Sequence, residues 1–145
     1  MDVLNKIRLL SKVCHLPSLK GEDALTNKVV LQLTGYSIEG DLKGVWFHVP
    51  NESVVSKENK LKDILRIKKK HCMGLINGVP DLVFISKNNT LFIELKTAKG
   101  RLTESQLYFQ EWCIDEGVDY FVARSVEEVT TILKEKGFLL DKRAG

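Results

Sequence analysis

The chain has 145 residues, a length that fits one domain spanning residues 1–145. Its 22 Lys and Arg against 19 Asp and Glu give a formal charge of +3, and 43% of its residues are apolar, so a largely disordered chain is excluded. No stretch approaches the ~20 continuous apolar residues of a membrane span, and we expect no signal peptide, no transit peptide and no membrane partner. The three cysteines share no C-x-x-C spacing, which indicates a reducing compartment, so we expect a cytoplasmic protein.

Apolar periodicity and turn residues predict the order helix, helix, strand, basic helix, strand, strand, helix, strand, helix. The predicted helices cover residues 2–14, 22–33, 58–70, 103–116 and 126–136, with Gly35 ending the second. The predicted strands cover residues 45–49, 81–86, 90–97 and 119–123. This order favours an α/β fold in which a mixed α+β sheet is flanked by helices.

Charge is distributed unevenly along the chain. Residues 57–70 carry seven Lys or Arg and two acids, whereas residues 103–135 carry eight acids against one Arg and one Lys. The basic stretch has two interpretations: the solvated face of a helix, or a surface that contacts a phosphate backbone.

The two central strands form a predicted hairpin that turns at Asn88-Asn89, because Asn tolerates the positive φ angles of tight hairpin turns. This turn places Asp81 directly opposite Lys96 and diagonal to Glu94, with all three side chains on one face of the sheet. A solvated cross-strand ion pair would be the simplest explanation. Against it, Val83, Ile85 and Phe92 share that face and are typical core residues.

Two carboxylates and an ammonium on one face suit metal-assisted hydrolysis of a phosphodiester. Carboxylate oxygens bind Mg²⁺ or Mn²⁺, which retain most of their waters and also bind substrate phosphate oxygens. Lys96 would supply positive charge to the attacking water or to the transition state. We also expect Lys96 to keep both Asp81 and Glu94 ionised.

The segments "GVPDLVF", "IELK" and "GRLTESQ", with "WFHVPNE" upstream, resemble the virus-type replication-repair nuclease (VRR-NUC) domain of the PD-(D/E)xK nuclease superfamily. The resemblance covers about residues 22–133. It implies a restriction-endonuclease-like α-β-β-β-α-β core, which here has an extra N-terminal helix and a C-terminal helix.

The resemblance also implies roles for individual residues. Asp81 and Glu94 correspond to the metal-binding acids, and Lys96 corresponds to the catalytic lysine. Gln106 corresponds to the glutamine of the following helix, and Glu22 is the best match for an upstream acid that also binds metal. The implied cofactor is Mg²⁺ or Mn²⁺, with no small-molecule cofactor.

Several of these positions have a second, local interpretation. Gln106 completes a capping box in which Thr103 is the N-cap, a role that does not exclude one in catalysis. Asn51 follows Pro50 and suits either a turn or a contact with DNA or the metal shell. The residues expected to contact DNA phosphates are Asn51, Lys57, Lys60, Lys62, Arg66, Lys68, Lys69 and Lys70.

The resemblance implies a metal-dependent DNA endonuclease that selects branched DNA such as four-way (Holliday) junctions, in repair or recombination. Similar phage and bacterial enzymes act as homodimers, and the helical extension at residues 1–16 is the candidate dimer contact. Three alternatives stay open: a nuclease of nicking, flap or restriction-type specificity, a non-catalytic DNA-binding module, and a domain whose basic helix binds an acidic protein.

Overall fold

The computed structural model describes residues 3–50 and 55–141. Its elements are α1 (Val3–Arg8), α2 (Gly21–Glu39), β1 (Val45–His48), α3 (Lys60–Cys72), β2 (Leu82–Ile85), β3 (Thr90–Leu95), α4 (Glu104–Glu116), β4 (Asp119–Ala123) and α5 (Val126–Glu135). Their order is the predicted one, and the α/β prediction with a mixed sheet is confirmed. Within these residues, none of the helices combines the length and apolar character that a membrane crossing requires.

The four strands form one sheet in the order β1-β2-β3-β4. The pairs β1–β2 and β2–β3 are antiparallel, and β3–β4 is parallel. A parallel pair needs a crossover connection, and α4 provides it between β3 and β4. Because β1 and β4 are the edges, the two strands that carry Asp81 and Glu94 lie at the centre of the sheet.

The main hydrophobic core lies between one face of the sheet and the helices α2 and α5. Alternate strand residues point to this face, as the twofold periodicity of a strand requires. The core contains Val29, Leu33, Leu82, Phe84, Leu91, Ile93, Leu95, Ala123, Val129 and Leu133. Phe138 follows α5 and packs edge-on against Phe84, with 6.0 Å between the ring centroids.

The opposite face of the sheet divides into an apolar part and a charged end. Phe109 of α4 packs edge-on against Phe92, with ring centroids 5.4 Å apart, and also contacts Tyr120. Val83 is buried, as its apolar character predicts, whereas Ile85 stays exposed near the hairpin turn. Glu94, two residues after Phe92, begins the charged end.

The prediction that α2 ends at Gly35 is wrong, since the helix continues to Glu39 and Gly40 caps it in the left-handed conformation. Glycine within a helix costs about 1 kcal/mol. The added turn offsets this cost because Ser37 is buried and accepts a 3.0 Å hydrogen bond from Trp46 Nε1. Tyr36 also packs against the core.

The predicted helix over residues 2–14 is also too long, because α1 ends at Arg8. The Asn27 side chain holds the following segment in a non-helical conformation. Its Nδ2 donates to the Cys14 carbonyl over 2.9 Å, and its Oδ1 accepts from the Leu16 amide over 3.2 Å. These two bonds fix the segment that follows α1 against α2.

The β2–β3 hairpin turns at Lys87-Asn88 instead of Asn88-Asn89, and the Ser86 amide donates to the Asn89 carbonyl over 2.9 Å to close the turn. Asn89 Nδ2 donates to Asp119 Oδ2, which ties Asn89 to the start of β4. Among the described residues, only glycines have positive φ, so the turn does not use the conformation expected of Asn. The register shifts by two residues, and because this number is even, every side chain keeps its predicted face.

Candidate active site

Asp81 and Glu94 lie on facing arms of the hairpin, and both are buried. The observed register places Asp81 opposite Glu94, and not opposite Lys96 as predicted, because Leu82 pairs with Ile93. The Asp81 amide donates to Glu94 Oε2 over 3.2 Å, and the Leu95 amide donates to Asp81 Oδ2 over 2.8 Å. Each carboxylate is therefore held by a backbone amide of the opposite arm.

Glu22 adds a third carboxylate from the first turn of α2. Its side chain is 40% exposed, whereas that of Glu94 is 1% exposed, so the cluster opens toward solvent on the Glu22 side. Glu22 and Asp81 also line an apolar groove of about 1080 Å³ between the N-terminal segment, α2 and β1. The fold thus brings Glu22 to Asp81 and Glu94, as the resemblance implies.

Lys96 brings a positive charge to the same cluster. Its Nζ lies 3.6 Å from Glu94 Oε1 and 4.0 Å from Glu22 Oε2, and its side chain is buried. Its amide donates to the Ala123 carbonyl over 3.0 Å, which extends the β3–β4 pairing past Leu95. The sheet therefore fixes the backbone of Lys96 next to that of Glu94.

Gln106 forms the predicted capping box and also contacts the acidic cluster. Its Oε1 accepts from the Thr103 amide over 2.9 Å, and Thr103 Oγ1 accepts from the Gln106 amide, so the capping box is present. Its Nε2 donates to Glu94 Oε1 over 2.9 Å. The Gln106 side chain thus caps the N-terminus of α4 and also orients Glu94.

The electrostatics of the cluster differ from the sequence-based expectation. Burial and the Asp81 carboxylate raise the pKa of Glu94 to about 8, although the Lys96 ammonium lowers it. Burial also raises the pKa of Glu22, again against Lys96. The prediction that Lys96 keeps both acids ionised is therefore wrong for Glu94 in the metal-free protein, because one ammonium does not offset desolvation and the neighbouring acids.

The structural roles of two supporting residues were not identified from the sequence, although Gly78 belongs to the segment that resembles the family. Arg124 Nη1 donates to the carbonyls of Thr97 and Gly100 over 2.6 Å each, which holds the loop that directly follows Lys96. Gly78 has a φ of 89°, and a side chain there would overlap the backbone of Ser105 at the start of α4. The role of Gly78 could have been suspected from its position before Pro80-Asp81, whereas that of Arg124 depends on a contact between distant segments.

The predicted DNA-contacting cations that the structure describes form no ion pair with the acidic cluster. Asn51 lies outside the described residues. The cations of the basic stretch are all exposed, namely Lys57, Lys60, Lys62, Arg66, Lys68, Lys69 and Lys70. In residues 3–50 and 55–141, Lys96 is the only Lys or Arg that forms an ion pair with the cluster.

The cluster fits a hard divalent cation. Glu22, Asp81 and Glu94 each offer one carboxylate oxygen, and these oxygens lie within 4.8 Å of one another. Oxygens that bind one Mg²⁺ octahedrally at 2.0–2.1 Å lie about 3 to 4 Å apart, so the three oxygens are close to binding distance. All three donors are oxygens, which is the preference of Mg²⁺ and Mn²⁺.

Comparison with known proteins agrees with this geometry. The family model of the VRR-NUC domain matches residues 35–127, which is more than half of the chain, and the chain therefore belongs to the VRR-NUC domain family. VRR-NUC domains are nuclease domains with the PD-(D/E)xK fold, as the sequence resemblance implies. No curated protein matches the chain. Glu22 precedes the matched residues, so its assignment depends on the geometry of the cluster.

The two contacts of Gln106 can be separated by a pair of variants. Thr103→Ala and Gln106→Ala both remove capping hydrogen bonds, and we expect each to lower the free energy of unfolding by about 0.5 to 2 kcal/mol. Only Gln106→Ala removes the donor to Glu94, so only this variant should lower nuclease activity, by about tenfold or more. Equal activity losses in the two variants, measured under conditions where both are folded, would show that capping alone matters.

The raised pKa of Glu94 predicts how stability depends on pH without metal. Between pH about 4.5 and about 8, Glu94 holds a proton in the folded chain and not in the unfolded chain. In EDTA, the free energy of unfolding should therefore fall as the pH rises across this window. Glu94→Gln should reduce this dependence and stabilise the protein at pH 8 by about 1 kcal/mol or more.

Urea denaturation at several pH values measures both effects. The exposed Glu111→Gln variant is the matched control, and it should follow the wild-type pH dependence. A Glu94→Gln protein with the wild-type slope would contradict the assignment of the proton to the Glu94–Asp81 pair.

Proposed function

We propose that the protein is a metal-dependent DNA endonuclease that hydrolyses phosphodiester bonds and prefers branched DNA. The observation that carries this proposal is the cluster itself, in which three carboxylate oxygens lie within 4.8 Å of one another with Lys96 beside them. Membership of a nuclease domain family supports it independently.

Glu22, Asp81 and Glu94 would hold the cation, which we propose to be Mg²⁺ or Mn²⁺. The chemistry that such an ion supplies is polarisation of the phosphoryl group and acidification of water. Asp81 and Glu94 need little reorganisation to bind it, since backbone amides already fix their orientations. Binding requires the carboxylate form of Glu94, so it should compete with the proton on this side chain.

Lys96 acts as the cationic partner of the reaction in this proposal. Its ammonium lies on the same side of the cluster as Glu22, where a phosphate approaching from solvent would arrive. There it can donate to the attacking water or to a phosphoryl oxygen, where negative charge develops in the transition state. Gln106 is a positioning residue, because it acts through Glu94.

The substrate proposal extends to the shape of the DNA. The exposed cations of residues 57–70 provide a surface for the phosphate backbone. Selectivity for four-way junctions, with a role in repair or recombination in a phage or a bacterium, rests on the resemblance to phage and bacterial enzymes of this family. Nicking, flap or restriction-type cleavage is the alternative specificity.

A non-catalytic DNA-binding module and a domain that binds an acidic protein are the alternatives outside catalysis. Burying two carboxylates and a lysine is costly unless the charges have a use, since each resists leaving water. The arrangement of Asp81, Glu94 and Lys96 therefore favours the enzyme. We place the activity in the cytoplasm, a proposal supported by three free cysteines.

Homodimer formation through the N-terminal extension is a further part of the proposal. Leu9 and Leu10 follow α1 and are 68% and 77% exposed, so the segment offers apolar surface to a second copy. Two copies related by a twofold axis would present two active sites to a symmetric junction.

Cleavage assays with and without metal test the catalytic proposal. The substrates are a four-way junction, a flap, a fork, a linear duplex and a single strand, each with Mg²⁺ or with EDTA. We expect cleavage only with the metal and fastest on branched DNA. Asp81→Asn and Lys96→Met should each lower the rate on the order of 10³-fold or more, since several kcal/mol of transition-state stabilisation are lost.

Lys87→Met, in the exposed hairpin turn, is the matched control for Lys96→Met and should keep the wild-type rate. Gel shifts should show that Asp81→Asn and Lys96→Met still bind DNA, because phosphate contacts come from other residues. Wild-type turnover in Lys96→Met would remove this lysine from the mechanism, and metal-independent cleavage would contradict the whole scheme.

Analytical ultracentrifugation tests the dimer. Deletion of residues 1–16, or replacement of both Leu9 and Leu10 by Ser, should convert a dimer to monomers at micromolar concentration. Ile114→Ser, at an apolar position on α4 that is 70% exposed, should leave the dimer unchanged. A dimer of unaltered affinity after the deletion, or a monomeric wild type, would rule out this contact.

A further inference from the structure

Helix α3 contributes no residue to the hydrophobic core, so packing in the core does not account for its apolar side chains. None of its residues is buried. Its least exposed residues are Asp63, Ile67 and His71, which recur at helical spacing and form the inner side of the helix. The inner side is tied to the flanking chain, because Asp63 accepts from Ser56 and His71 Nδ1 contacts the Leu75 carbonyl over 3.0 Å.

The outer side of α3 combines a cationic row with an apolar row. Lys62, Arg66, Lys69 and Lys70 recur at helical spacing and are all exposed. Next to them, Leu61 and Leu65 form what we call the leucine row, and these side chains are 71% and 57% exposed. At 100° per residue, the leucine row lies about 140° from the inner side, so it points away from the rest of the chain.

Helix α3 lies in the chain between β1 and β2, and β2 directly follows Asp81. The segment that contains α3 leaves the sheet after β1 and returns at β2, where His48 pairs with Leu82. At this edge the Val49 amide donates to the Asp81 carbonyl over 2.8 Å. The chain that leads to α3 therefore starts beside the proposed metal-binding Asp81.

We propose that the leucine row of α3 contacts base faces where DNA stacking is interrupted, while the neighbouring cations contact the phosphates. This inference rests on the proposed function and assigns the selectivity for branched DNA to particular residues. In continuous duplex the base faces are covered, and an apolar side chain must unstack a step to reach them. At a branch, a nick or a gap, the interrupted backbone lowers the cost of unstacking, so base faces are reached more easily than in continuous duplex.

The positive charge around the leucine row favours DNA as the partner that binds there. Lys68 lies on one side of the leucine row, with Lys62 and Lys69 on the other. A second copy of α3 packed on this row would bring like charges together, whereas a polyanion complements them. A row of two leucines is also short for an amphipathic helix that binds a lipid surface, since membrane affinity scales with buried apolar area.

The test uses full-length protein in Ca²⁺ without Mg²⁺, with binding to a four-way junction and to a continuous duplex of equal total length. The variants are Leu61→Gln/Leu65→Gln and the matched control Lys62→Gln/Lys69→Gln. All four positions are exposed and Gln favours helix, so both variants should fold, which circular dichroism checks.

The leucine variant should keep the wild-type affinity for duplex and lose about tenfold in affinity for the junction, as expected for the loss of two apolar contacts. The lysine variant should weaken binding to both DNAs by a similar factor and flatten the dependence of log K on log salt. 2-Aminopurine at the branch should brighten on binding wild type and the lysine variant, and not on binding the leucine variant.

Several outcomes would overturn the inference. One is a leucine variant that keeps the wild-type preference for the junction, and another is a leucine variant that binds both DNAs more weakly by the same factor. A leucine variant with a changed sedimentation coefficient would show that the leucine row is an interface between copies. Binding of wild type, but not the leucine variant, to vesicles of anionic lipid would assign the row to a membrane surface. The proposed function fails separately, if wild-type protein with Mg²⁺ cuts no DNA in the substrate panel.

Discussion

Asp81 and Glu94 bring two carboxylates together in a nearly solvent-free corner of the sheet, where like charges repel strongly. The hairpin holds them there because an amide of each arm bonds the carboxylate of the other. Burial and the neighbouring Asp81 carboxylate both disfavour the charged form of Glu94 and raise its pKa, and the retained proton relieves the repulsion. A divalent cation bound by these acids, as proposed above, would also offset this repulsion.

The two faces of the sheet have different roles, since one forms the core and the other carries the residues of the candidate site. Side chains of one face form the core with α2 and α5, and this core fixes the strand register. Side chains of the other face carry the charged cluster, with α4 covering the remainder. Helix α2 serves both functions, since Val29 and Leu33 are buried in the core while Glu22, about two to three turns earlier, reaches the cluster.

Local patterns predicted much of this arrangement. The strand at residues 119–123, the Thr103 cap and the shared face of Asp81, Glu94 and Lys96 follow from alternation and spacing within short segments. The features that were mispredicted depend on contacts between distant segments. Asn89 beside the turn bonds Asp119 at the start of β4, and Asn27 of α2 bonds residues 14 and 16 after α1.

The protonation of Glu94 and the loop contacts of Arg124 belong to the same class. Burial of Glu94 arises from the assembled fold, and no spacing within "IELK" indicates how much solvent it loses. Arg124 bonds a loop more than twenty residues earlier in the chain. Sequence patterns therefore identify which side chains lie close together. The pKa values of these side chains, and the distant residues that hold them in place, become visible only in the three-dimensional structure.

The two contacts of Gln106 limit which residue this position accepts. Capping boxes use either Glu or Gln, because both offer an oxygen to the N-cap amide. Only Gln has a second end that donates, and Glu94 accepts from that end. Glutamate would preserve the start of the helix but add a fourth carboxylate to the acidic cluster. The contact with Glu94 on β3, and not the capping of α4, therefore favours Gln over Glu at this position.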